Sequence, residues 1–94
     1  MEKALASKKL LIKGRVQAVF YRAWLKKNAE NAKITGWVKN LSDGSVEAVL
    51  QGDKEKVDNL IKKCRQGPPL ARVDEIIIKK ARLDKSLKSF RVKS

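Results

Sequence analysis

The chain has 94 residues, 23 of them Lys or Arg against 10 Asp or Glu, giving a formal net charge of +13. That length suits one domain with one modest core, and 43% apolar content argues against disorder. No apolar run reaches the roughly 18 residues of a transmembrane helix, and one cysteine with no histidine excludes an intrachain disulfide and a Cys/His zinc site.

Met1 to Lys9 carries charges without an apolar h-region, so no cleaved secretory signal is expected and the cytoplasm is the expected compartment. One domain is expected over 1–94, with an ordered core of about 7–92 and frayed ends. Lys9-Leu10-Leu11-Ile12 reads as a strand with Leu10 and Ile12 on one face. The nonapeptide from Gly14 to Arg22, GRVQAVFYR, follows as a glycine-started loop. A helix is expected from about Phe20 to Ala32, with Tyr21, Leu25, Ala29 and Ala32 along one stripe. A loop that feeds a helix N-terminus gathers N–H groups without helical partners, which is a ready anion site. Arg22, in the first helical turn, sets a planar guanidinium on the same side.

Thr35 to Asn40 reads as the second strand, Asp43-Gly44 as a tight turn, and about Ser45 to Gln51 as the third strand, with Val46, Ala48 and Leu50 alternating. Asp53 is placed to cap a second helix. Its Val57, Leu60, Ile61 and Cys64 fall at i, i+3, i+4 and i+7, so Cys64 reads as a core thiol. Gly67 and Pro68 end that helix. The fourth strand runs from Arg72 to about Lys80, carrying Val73, Ile76 and Ile78; a short last strand near Ser89 to Val92 is anchored by Phe90. Trp24 is expected on the first helix's flank and Trp37 on the sheet surface or an edge.

This order predicts an α+β fold, a ferredoxin-like split β-α-β sandwich with two helices on one face of a four- to five-stranded, mostly antiparallel sheet and right-handed crossovers. If Val38 faces the helices, period-two alternation sends Gly36 and Asn40 to the same face. The first and second strands are expected to run antiparallel with the third between them, so spacing alone does not bring Asn40 to the 14–22 loop.

GRVQAVFYR, the GWVKN of 36–40, the DGSV turn of 43–46 and Gly67-Pro68-Pro69 stand in an order and spacing that resemble the acylphosphatase family, over about Leu10 to Phe90. The resemblance implies spatial strand order 4-1-3-2, with the final strand at an edge. It implies a hydrolase that cleaves the carboxyl–phosphate bond of acyl phosphates to carboxylate and inorganic phosphate, with no metal or other cofactor. The backbone N–H groups of Val16, Gln17, Ala18, Val19, Phe20 and Tyr21 would cradle the phosphate and Arg22 would neutralise it. Asn40 would hold the attacking water opposite the leaving carboxylate, making Arg22 and Asn40 the catalytic pair. The expected partner is a small-molecule acyl phosphate met by a monomer, with no membrane and no specific nucleic acid.

The chemistry is self-consistent. A carboxylate leaves readily, and phosphoryl transfer gains mainly from positioning and electrostatics. The missing histidines, commonest among general bases, are therefore no obstacle. Two residues depart from the family's pattern: Ala18 and Lys33 stand where glycine is usual. Ala18 keeps its N–H but would be strained if the loop turns left-handed there, and with Lys33 the first helix is expected to end by some other device than a glycine.

The alternative is a catalytically weak small-anion or nucleic-acid-binding module of the same fold, since so basic a surface attracts either kind of anion. Base stacking by the two central strands is disfavoured, because neither carries an aromatic residue. A P-loop hydrolase is excluded, because the sequence has no GxxxxGK[ST] motif. The acylphosphatase-like module of larger carbamoyl-transfer maturation proteins is a further alternative, and a free-standing enzyme is the simpler expectation.

Overall fold

Alternation along the strands and one apolar stripe on each helix define a single core between the sheet and the helices. In the computed structural model, which describes residues 4–93, the elements are β1 (Leu5–Arg15), α1 (Tyr21–Asn31), β2 (Thr35–Asn40), β3 (Val46–Asp53), α2 (Lys54–Gln66), β4 (Arg72–Lys80) and β5 (Phe90–Lys93). The sheet order is β4-β1-β3-β2-β5, with only the β2–β5 pair parallel. Leu10, Ile12, Val38, Val46, Ala48 and Leu50 are fully buried against the helices, which answer with Tyr21, Leu25 and Ala29 from α1 and Val57, Leu60, Ile61 and Cys64 from α2. Each of the larger aliphatic chains contributes roughly 1.5–3 kcal/mol on leaving water. Phe90 closes the β5 edge of this core. Trp24 packs partly buried against it, and Trp37 lies on the sheet's outer face beneath the ammonium groups of Lys39 and Lys93, 5.4 and 4.4 Å from its ring.

Strand direction corrects one expectation. Both β1 and β2 pair antiparallel with β3, so they are parallel to each other, with C-terminal ends at the same end of the sheet. The connection after β1 and the last residue of β2 are therefore brought to one place by topology alone.

β1 is longer than its apolar centre suggests. It starts at Leu5, opposite Asp53, and continues through Gly14 and Arg15, so the connecting loop is only 16–20. Pairing on both sides carries the strand through polar residues that show no alternation of their own. At Gly14 the ladder with β4 slips: Lys13 faces Glu75 but Gly14 faces Val73. Its φ is +134°, and a Cβ there would stand 2.1 Å from the Arg72 carbonyl oxygen, so only glycine fits this bulge.

Helix α2 starts as the sequence indicates, with the Asp53 carboxylate accepting from the N–H groups of Glu55 and Lys56 at 3.0 and 3.3 Å. It ends at Gly67, whose N–H donates to the Lys63 carbonyl at 2.9 Å. Helix α1 ends in the way a glycine would end it, which corrects the second expectation. Lys33 takes φ +58°, its N–H donates to the Glu30 carbonyl at 3.0 Å, and the Ile34 N–H donates to the Ala29 carbonyl at 2.8 Å. These are the two bonds of a Schellman motif, built on lysine.

Candidate active site

The loop between β1 and α1 is anchored by two of its members. Val16 and Val19 are buried in the core at 1% and 4% exposure, which pulls the main chain tightly over the end of the sheet. Between and after them Ala18 and Phe20 take φ +58° and +64°, with Val19 on the negative side. Alternation of this kind turns successive N–H groups toward one concavity, an anion-binding nest. Among the described residues, the N–H groups of Gln17, Ala18, Val19, Phe20 and Tyr21 donate to no other group of the protein. Two non-glycine residues in left-handed geometry cost roughly 1–2 kcal/mol each, and such strain gathers at functional loops.

The same helix start is bare of anions. Phe20 makes no side-chain cap, and the first turn of α1 holds no acidic residue, whereas α2 has both Asp53 and Glu55. The positive end of α1 is thus unmet by the protein's own groups. Arg22, in that first turn, forms no salt bridge among the described residues; its guanidinium only approaches the Lys93 carbonyl, at 3.5 Å.

A cavity of about 450 Å³ opens here, within the range of small-molecule sites. Ala18, Phe20, Tyr21 and Arg22 form one side and Asn40 another. Val38 is fully buried, so Asn40 does lie on the helix-facing side of β2, and its Oδ1 is buried without a hydrogen-bond donor among the described residues. A buried polar atom left without a partner marks a place where a bound group can supply one.

Val16 also lines the cavity, but Gln17 and Val19 do not. Gln17 instead donates from Nε2 to the carbonyls of Leu41 and Ser45, at 2.7 and 2.8 Å, tying the loop to the β2–β3 hairpin immediately beyond Asn40. Asp43 shapes that hairpin: its carboxylate accepts from the Ser45 hydroxyl and N–H, which hold its pKa below the ordinary carboxylate value. Tyr21 is wholly buried and donates to the Cys64 carbonyl at 2.7 Å, locking the start of α1 to the end of α2; burial first, then the nearby Cys64, raises its pKa far above the ordinary phenol value. Burial likewise pushes the Cys64 thiol up to about 12, so it is an inert core group.

The sequence reasoning missed Ala23 and Val92, which complete the wall. Val92 was discoverable, because it shares the face of the anchoring Phe90 two residues earlier.

A ferredoxin-like sandwich whose uncapped helix and hairpin converge on one cationic cavity defines a small anion-handling domain. Comparison with known proteins narrows that class. A family model described as Acylphosphatase matches residues 8–92. A Rhodopseudomonas palustris (strain BisB5) protein named Acylphosphatase is 48% identical over 77 residues, 82% of this chain and 78% of its own. An acylphosphatase structure from Coxiella burnetii superposes with a TM-score of 0.91 at 34% identity, over 99% of each chain. The HypF structure from T. kodakarensis also fits, with a TM-score of 0.82 at 33% identity, but over 99% of this chain and 12% of that one. The chain belongs to the acylphosphatase family of enzymes.

Proposed function

We propose that this enzyme hydrolyses acyl phosphates by holding the phosphoryl group in the 16–22 loop, with Arg22 neutralising its charge and Asn40 orienting the attacking water. The observation that carries the proposal is the set of five unpaired N–H groups in a loop that shares its cavity with Arg22 and Asn40. Water attacks phosphorus, the bond from phosphorus to the bridging oxygen breaks, and the carboxylate departs with the bonding pair. The fixed donors meet charge spread over the equatorial oxygens without having to reorganise. Asn40 is too weak a base to take the water's proton, so its amide sets direction and the proton passes to the phosphoryl oxygens, leaving dihydrogen phosphate. None of these steps calls on a metal or a histidine. A monomer suits the reading, since a strong net charge of one sign opposes self-association.

Steady-state hydrolysis of benzoyl phosphate with EDTA present tests it. Turnover should survive chelation, Asn40→Ala should lower kcat by about 10²–10³, and Arg22→Ala should cost a similar factor in kcat/KM. Inorganic phosphate should inhibit the wild type and Asn40→Ala alike but lose its grip on Arg22→Ala. A folded wild type that binds phosphate without turnover would leave an anion-binding module instead.

A further inference from the structure

Next to the phosphate cavity lies a second groove of about 420 Å³. Phe20, Ala23, Trp24 and Lys27 of the α1 flank form one wall, and Pro69 and Leu70, from the turn after α2, the other. The α1 members fall at i, i+3, i+4 and i+7, a second stripe beside the core-facing one. Apart from the Lys27 ammonium, every side chain in the walls is apolar. Phe20 and Leu70, at 76% and 68%, are the most exposed large apolar side chains among the described residues, and both stand in this groove. Exposed apolar surface gathered in one concavity is characteristic of ligand sites.

Two wall residues are shared. Phe20 and Ala23 line both the groove and the phosphate cavity, whereas Asn40 and Val92 line the cavity alone. In-line displacement places the leaving group opposite the attacking water. With the water held at Asn40, the carboxylate departs on the side of Phe20 and Ala23, and whatever it carries extends into the groove. Phe20, held at φ +64°, presents its ring at this junction rather than to the core.

We infer that the Phe20–Leu70 groove receives the acyl group of the substrate, so that the enzyme selects aromatic or longer aliphatic acyl phosphates over acetyl-sized ones. The inference rests on the acyl phosphate reading of the cavity. From Phe20 to Lys27 the helix rises on the order of 10 Å, room for an aromatic ring or a medium-length chain. Leu70 is then a specificity residue outside the phosphate machinery.

The test compares kcat/KM for acetyl, butanoyl, hexanoyl and benzoyl phosphate in the wild type, Leu70→Gln and Leu70→Met. In the wild type kcat/KM should rise about twofold per added methylene, short of the fourfold that full burial gives. Leu70→Gln should lower the hexanoyl and benzoyl values about three- to tenfold, the acetyl value and phosphate inhibition staying unchanged, and Leu70→Met should restore them. Chain-length independence in the wild type, or an equal loss on all four substrates in Leu70→Gln, would overturn the groove assignment while leaving the hydrolase reading intact. A folded wild type that turns over none of the four would remove both.

Discussion

At Ala18 the main chain turns left-handed, φ +58°, with a methyl group where the family usually has none. The conformation is imposed by its neighbours, since Val16 and Val19 are both fixed in the core and only Gln17 and Ala18 span the gap between them. The methyl is exposed at the cavity, while the donor proposed for the phosphate is the N–H, which alanine and glycine share. Alanine therefore taxes stability rather than binding. Ala18→Gly relieves roughly 1–2 kcal/mol of strain and returns about 0.5–1 kcal/mol in unfolded-chain entropy, for a net gain near 0.5–1 kcal/mol. Thermal unfolding should move up by a few degrees, with kcat for benzoyl phosphate and phosphate inhibition within about twofold of the wild type. A large rise in activity would mean instead that the methyl distorts the cradle. Gln17 makes the complementary point. Its amide bridges 24 and 28 residues to the hairpin carbonyls, a link between distant segments that no local pattern announces.

Among the elements, the end of α1 offers the sharpest case. Lys33 completes a Schellman motif in a conformation that costs a side chain roughly 1–2 kcal/mol, and it is exposed on the helix's far end from the cavity. Lys33→Gly should stabilise the protein by about 0.5–1 kcal/mol after the entropy term, or roughly 2–8 °C in Tm, with kcat/KM unchanged. Loss of stability would show that the lysine stem contributes packing that outweighs its strain. The helix stop was hidden in the sequence because the residue gave no glycine signal, although the stripe ending at Ala32 marked its neighbourhood. Where composition and geometry agree, the elements were legible: Asp53 caps α2, Gly67 ends it, and Thr35 to Asn40 is a strand whose parity places Asn40 correctly. Where pairing alone sustains an element, as in β1 from Leu5 to Lys8, side-chain pattern was silent. The meeting of Asn40 with the loop followed from strand direction, and the direction assumed for β1 and β2 was wrong; their common antiparallel neighbour β3 makes them parallel.

For the molecule as a whole, the net charge of +13 must act on a substrate that carries two negative charges. A surface potential of that sign raises the encounter rate with anions, and the effect fades as ionic strength shortens the Debye length from about 10 Å at 0.1 M to about 3 Å at 1 M. Capture should feel this, whereas a complex held by short contacts in the cavity, as proposed, should feel it much less. The kcat/KM for benzoyl phosphate should therefore fall about three- to tenfold as NaCl rises from about 0.01 to 0.5 M, with kcat nearly constant. A salt effect alone does not separate the general field from the local cation Arg22, so a variant that changes only the field is needed. Lys56 and Lys62 are exposed on α2 and line neither the cavity nor the groove. Replacing both by Glu removes two units of charge at each position and takes the net charge from +13 to +9. If the whole surface steers the substrate, the double variant should show lower kcat/KM at low salt, a shallower salt dependence, and convergence with the wild type near 0.5 M. An unchanged slope would place the attraction in Arg22 and the loop alone, and the remaining lysines would be a solvated surface without a part in capture.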